Sequence, residues 1–360
     1  MQIRGVRVGI IKNSRGEDSI VIGVNNCITS APSGASKGSH EVPAHRNTIK
    51  QDFAKLKKEL QKISDFEFKE FEDLEKVEKL LRKKVGANTL FALEASILKA
   101  MAKEKGKELY QLLGGKKKPL LLSNTIGGGA HSHAKLKPDF QEFLVIGDKK
   151  SNIDSYKKAR KLLKAKKTND ENAWQTSNDE IAIDVINEAS KGIGLDVAAS
   201  EFYKKGKYYY TNPQIIRTRK EQIDYIIKLI KKYKLKYIED PLNEEDFKGF
   251  AEILKKTKGC LIVGDDLTTT NLVRVKKAIK NKSINGLIVK PNQIGSLIEV
   301  KKVIDICKKN KIKIIISHRS GETEDWTIAD LAVGWKADMI KIPVVGKERL
   351  AKVDRIEKIS

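Results

Sequence analysis

Short runs of aliphatic and β-branched residues, each breaking off into a polar group, alternate along most of this chain with lysine-rich stretches. The runs LLLSNT, FLVIG, IGLD, YIE, LIVGD, GLIVK, IIIS and DMIK are too continuous for a half-exposed sheet and suit strands buried on both faces. Between them, segments such as YKKARKLLKAKK and KLIKKYKLK set Leu, Ile and Tyr at helical spacing among lysines, which describes amphipathic helices with one wet face. From Glu239 onward the run ends recur at Asp265, Lys290, His318 and Lys341, each interval being the length of one strand plus a returning helix. Parallel βα repetition follows. A closed (β/α)8 barrel brings residues far apart in sequence to one mouth, at the C-terminal ends of its strands.

The first two strands of this pattern, near 120–125 and 140–147, have no helix between them, and helices over 154–167 and 179–189 come next. The barrel therefore opens β-β-α-α. After Asp196, FYKKGKYYYTN reads as an excursion hairpin. Upstream, residues 3–30 predict three short antiparallel strands turning at 14–16 and at Asn25-Asn26. The small-residue stretch APSGASKG follows. Helices are then marked by Ile49, Phe53, Leu56, Leu60 and Ile63, by Phe71, Leu74, Val77 and Leu81, and by a third segment that Asn88 is placed to cap. The expected fold class is α/β, with an N-terminal α+β capping domain over 1–118 and the barrel, with the active site, over 119–360.

The chain has 360 residues and a formal net charge of +24, which raises the question of nucleic acid. The lysines are spread over many helix faces instead of being focused in one patch, which argues against it. Three widely separated cysteines give neither a disulfide framework nor a zinc spacing. No apolar run approaches the ~20 residues that span a bilayer. The expectation is a cytoplasmic protein.

The polar strand ends carry the chemistry. Asp196, Glu239 and Asp265 put three hard oxygen donors on one rim, a set suited to Mg²⁺. Lys290, one strand further round, is expected to have its pKa lowered by the cation and by desolvation, making it a base. Arg319 and Ser320 offer donors for a phosphate and Lys341 a point charge for a carboxylate. Glu142 and Glu171 can reach the same mouth, where two neighbouring carboxyls disfavour joint ionisation, so that one serves as an acid.

The combination of SRG at 14–16, PSGAS at 32–36, GANTLFALEAS, QEF at 141–143, GLDVAASEFY, IEDP, GDDLTTTN, KPNQIGS, SHRSGETED and ERLAK resembles the enolase family over nearly the whole chain. The resemblance implies Mg²⁺-dependent, reversible dehydration of 2-phosphoglycerate to phosphoenolpyruvate. It makes Lys290 the base at the carbon α to the carboxylate, Glu171 the acid for the departing hydroxide and Glu142 its helper. It makes Asp196, Glu239 and Asp265 the ligands of one Mg²⁺, with Ser36 at a second, and it sets Arg319 and Ser320 on the phosphate, Lys341 on the carboxylate and His318 beside them. Counting from Asn124 makes His131 the loop histidine, whereas counting back from Glu142 makes it His133; the local GGxH pattern favours His131. A homodimer is also implied. That a lysine base works beside Mg²⁺ in such sites is general knowledge of the superfamily.

The sequence departs from the family in places. NDENA at 169–173 replaces GDEGG, Pro291 follows the base, and the arginine before the SER motif is missing. Loss of the flanking glycines predicts hindered closure of the acid loop. Two alternatives stand beside this reading: a related enzyme acting on another acid, to which these departures point, and a binding protein without turnover that uses the basic surface.

Overall fold

A computed structural model describes residues 1–34, 38–132 and 134–359. Strands β1 (Val6–Lys12), β2 (Asp18–Val24) and β3 (Cys27–Ser30) form one antiparallel sheet in that order. Val24 faces Cys27 across the second hairpin, so Asn25 and Asn26 alone make the turn. Both have positive φ, 47° and 64°, the shape a two-residue hairpin needs and asparagine tolerates. Helix α1 (Ile49–Ser64) starts on Thr48, whose hydroxyl accepts from the Gln51 amide, and α2 (Leu74–Leu81) follows. Helix α3 (Ala87–Glu104) is buried almost all round, as an apolar helix between two layers must be, and the short α4 (Leu109–Leu112) ends this part.

Asn88 is not the cap of α3. Gly86 takes that position, because a Cβ there would stand 2.3 Å from the Ala44 carbonyl oxygen. Asn88 lies inside the first turn, where its side chain donates to Pro32 O at 3.1 Å and accepts from Asn292 Nδ2 at 2.9 Å. It thereby ties the loop after β3 to the barrel.

The barrel elements follow in chain order. They are β4 (Leu120–Gly127), β5 (Glu142–Gly147), α5 (Lys149–Leu163), α6 (Asp179–Ala189) and β6 (Ile193–Asp196). A small antiparallel sheet of β7 (Tyr203–Lys204), β8 (Lys207–Thr211) and β9 (Gln214–Thr218) is the excursion, with one strand more than a hairpin. Then come α7 (Arg219–Tyr233), β10 (Tyr237–Glu239), α8 (Phe247–Lys256), β11 (Leu261–Gly264), α9 (Leu272–Asn281) and β12 (Gly286–Val289). Last are α10 (Pro291–Ile294), α11 (Leu297–Lys309), β13 (Lys313–Ser317), α12 (Thr327–Gly334), β14 (Met339–Lys341) and α13 (Lys347–Lys358). The eight strands β4, β5, β6, β10, β11, β12, β13 and β14 close on themselves. The β-β-α-α opening is as expected, but the barrel is not all parallel: β5 runs against both neighbours. With no helix to carry the chain back, the second strand has to return in the opposite direction.

Inside the barrel, Leu122, Leu144, Tyr237, Val263, Ile288 and Ile315 form a dry plug. Strand alternation then fixes the site, because the residue two places nearer the mouth points the same way. Glu142 stands above Leu144, Glu239 above Tyr237, Asp265 above Val263, Lys290 above Ile288 and Lys341 above Met339.

Candidate active site

Three carboxylates lie in one row. Glu142 faces Asp196 across β5 and β6, and Asp196 faces Glu239 across β6 and β10. Lys341 closes the group from β14, its Nζ 2.7 Å from Asp196 Oδ2 and 2.8 Å from both Glu239 Oε2 and Glu142 Oε2. All four side chains are buried. Burial, reinforced by Asp196 beside it, pushes the Glu239 carboxyl well above the ordinary range, and burial with Glu142 nearby raises Asp196. Burial pulls Lys341 the other way, but the surrounding carboxylates prevail and hold its charge firmly. Tyr237, one layer below, donates its phenol to Glu239 Oε2.

The next sector holds Lys290 and Asp265, paired directly, with Gln293 Nε2 donating to Asp265 Oδ1 at 3.2 Å. Burial acts to lower Lys290, yet the Asp265 carboxylate outweighs it and the ammonium sits above the usual lysine value. The direct pairing with Asp265 is what the sequence did not reveal. Asp240 shapes this rim from behind: its two oxygens accept from the amides of Asp265 and Asp266 at 3.0 and 2.7 Å.

Opposite stands the acid loop. Glu171 is buried, accepts from Asn124 Nδ2 at 3.3 Å and lies 3.9 Å from His131 Nε2. His131 Nδ1 is 3.4 Å from Asp170 Oδ1. Burial opposes charge on His131, but Glu171, Asp170 and Glu142 raise it to about 9. Burial also acts to raise Glu171, while His131 and Arg349 bring it below the ordinary glutamate value. Both shifts favour an ion pair, with the imidazole as the charged partner of Glu171. The loop itself is built without glycine. Asn169 Oδ1 accepts from the amides of Glu171 and Ala173 at 3.0 and 2.9 Å, and Asn172 adopts φ 63°. Asparagine supplies the left-handed turn that a glycine would have given, which removes one ground for expecting hindered closure.

His318, Arg319 and Ser320 continue from β13 to the same mouth. Burial, with Arg349 nearby, keeps His318 neutral well below its usual titration range. Arg319 is 5% exposed; its Nη2 meets both Glu41 oxygens at 3.1 and 3.0 Å, and Nη1 donates to Asn292 Oδ1 at 3.2 Å. A narrow cavity of about 40 Å³ is lined by all the expected site residues except Glu239, which lies beneath it, and Ser36. Ser36 and His133 fall outside the described residues. Sequence reading missed Tyr237, Asp240, Asp266 and Arg349. The first three were legible in principle, as the inward neighbour of Glu239 and as the second acids of IEDP and GDD.

Residues 116–360 match the family model described as "Enolase, C-terminal TIM barrel domain". A protein named Enolase from Archaeoglobus fulgidus is 35% identical over 401 positions, covering 100% of this chain and 97% of the relative. The Enolase of Methanosphaera stadtmanae is 37% identical, covering 99% and 96%, and that of Pyrobaculum aerophilum 35%, covering 95% and 90%. The chain belongs to the enolase family. An enolase is a lyase, phosphopyruvate hydratase. The family implies a divalent metal, and the residues present fit one: among the described residues Glu239 Oε1 is buried without a hydrogen-bond partner, between the neighbouring strand ends that carry Asp196 and Asp265. Asp240, Asp265 and Asp266 also bring oxygens within 4.8 Å of one another, but both oxygens of Asp240 already accept backbone amides. His131, Glu142 and Glu171 likewise bring ligand atoms within 4.8 Å of one another. Among the described residues, no helix is long and apolar enough to cross a membrane.

Proposed function

We propose that this chain catalyses the reversible dehydration of 2-phosphoglycerate to phosphoenolpyruvate, with Asp196, Glu239 and Asp265 as ligands of Mg²⁺. The observation that carries the reading is the placement of a half-buried lysine, Lys290, across one mouth from a charged His131–Glu171 pair. Bound Mg²⁺ would supply positive charge for the substrate carboxylate and the electron pair that develops next to it. Lys290 takes the proton from the carbon bearing the phosphate. Before that it has to leave Asp265 and give up its own proton to solvent, since an ammonium accepts no proton. Hydroxide leaves from the neighbouring carbon and takes a proton held by the His131–Glu171 pair, so one proton goes to Lys290 and one water forms. Glu142 helps that pair. Arg319 and Ser320 hold the phosphate, with His318 beside them, and Arg319 has to exchange Glu41 for it. Lys341 acts on the substrate carboxylate from within its ring of acids.

Asn172 at φ 63° supports this reading over a related enzyme for another acid, because the loop makes a left-handed turn beside the acid without a glycine. The division into residues 1–118 and 119–360 belongs to the same reading and is supported by a family match that begins at residue 116. So do a homodimer, a place in glycolysis and a cytoplasmic location, which rest on family membership. A coupled assay with 2-phosphoglycerate tests the proposal: the account expects phosphoenolpyruvate with Mg²⁺ and none in chelator. Product formed equally well in chelator would contradict it.

A further inference from the structure

The motif ERLAK at 348–352 has no part in the chemistry above, yet it carries two of the most deeply buried cations in the chain. Arg349 and Lys352 stand three residues apart on α13, on one face, and each is 1% exposed. Charges so placed need partners, and the partners are specific. Lys352 Nζ donates to Thr323 O at 2.6 Å and to Glu348 O at 3.1 Å, and pairs with Glu322 Oε2 at 2.8 Å. Glu322 Oε1 in turn accepts from the Arg319 amide at 2.9 Å. Arg349 Nη2 donates to Ser320 O at 2.7 Å. Both cations therefore end on the turn 319–323, which presents the phosphate-binding groups.

The other side of Arg349 looks toward the acid loop. Gly346, at the start of α13, has φ 85°, and a Cβ built on it would lie 2.7 Å from Asn172 Nδ2 and 3.4 Å from Arg349 Cδ. A side chain at 346 would have to displace the Asn172 amide. Among the described residues Arg349 Nε is buried with no hydrogen-bond partner, so part of its effect is exerted through charge. That charge acts on Asp170, Glu171 and His318.

Resting on the function proposed above, we infer that Arg349 is a positioning residue that holds the phosphate-binding turn and the acid loop in one register, with Lys352 securing the far end of that turn. Two effects follow. The hydrogen bond to Ser320 O sets phosphate affinity, and the charge sets the ionisation of Glu171, which is faced by His131, Glu142, Asp170 and Arg349. Removing the charge moves the pH limb that reports Glu171 upward, because the cation had been lowering it.

The test compares Arg349→Met, Arg349→Lys and Lys352→Met in the full chain. It reads KM, kcat and the pH profile for 2-phosphoglycerate, and calorimetric binding of inorganic phosphate. Arg349→Met is expected to raise KM and weaken phosphate binding by about tenfold, the scale of one charge-assisted hydrogen bond, and to shift the pH limb upward. Arg349→Lys keeps the charge without the planar fork, so it weakens phosphate binding but leaves the limb in place. Lys352→Met does the same. A folded Arg349→Met that melts lower but keeps the parent's KM and pH limb would make the residue merely structural and overturn the inference. Should Arg349→Met fail to fold, Arg349→Lys decides, and parental phosphate affinity there would overturn it. A parent inert on 2-phosphoglycerate would sink the functional reading by itself; the inference would then stand or fall on phosphate binding alone, with unchanged affinity in all three variants refuting it.

Discussion

Glu142 and Asp196 are register partners, although Glu142 opens its strand and Asp196 closes its own. The reversal of β5 is what makes this possible, since in an all-parallel barrel the start of a strand points away from the mouth. It adds a third acid to the row formed by Asp196 and Glu239, and Lys341 is the counter-charge that lets the row exist.

Replacing Lys341 by Met should therefore strand buried carboxylates without a cation. Loss of one partner from a buried charge cluster costs about 3–5 kcal/mol. The variant is expected to unfold at markedly lower urea concentration, with saturating Mg²⁺ recovering part of the loss. Urea titrations with and without metal check this, and an unchanged midpoint would show that the cluster does not need the ammonium.

The acid loop offers a second test. Asn172 already has the left-handed backbone, its carbonyl accepts from the Tyr156 hydroxyl at 2.7 Å, and Ala173 is fully buried beside Gly127. Asn172→Gly should leave turnover within about twofold. Ala173→Gly should lower stability by about 1 kcal/mol through added freedom in the unfolded chain and a lost contact. Turnover rising several-fold in the double variant would mean that the loop does hinder closure, as the missing glycines suggested.

Much of this architecture was legible in the chain. Continuous apolar runs ending in single polar groups mark strands whose ends meet, and the inward set Glu239, Asp265, Lys290 and Lys341 follows from a period of two. The direction of β5 was legible only from the missing helix before it, because FLVIG itself is apolar whichever way it runs. The charge states were not legible. Lys290 is held above its usual value by contact with Asp265, and against its burial Glu171 is held below its own first by His131 and then by Arg349 from the last helix. Gly86 displaced Asn88 as a cap because Ala44 comes too close for any side chain, a fact of packing between distant segments.

Asp179 gives a pH-dependent prediction outside the site. It opens α6, accepts from the Phe140 amide at 2.9 Å, and burial pushes its carboxyl up to about 7. The folded chain thus holds this proton more tightly than the unfolded chain, where an aspartate titrates near ~3.9. Its cost to stability is absent below that value, grows as pH rises toward 7 and is constant above. Asp179→Asn keeps an acceptor for Phe140 without the ionisation. It should gain roughly 2–4 kcal/mol at pH 8 and almost nothing at pH 4, as read from denaturant unfolding at the two values. Equal effects at both would contradict the assignment.

The central claim is that proton removal and hydroxide departure belong to different residues, Lys290 and the Glu171–His131 pair. The measurement that reaches it most directly is exchange of the 2-phosphoglycerate α-proton with deuterated solvent, followed together with phosphoenolpyruvate formation at saturating Mg²⁺. The account predicts that Lys290→Ala abolishes both, whereas Glu171→Gln abolishes product and still exchanges the proton. Exchange at the parent rate in Lys290→Ala would contradict it.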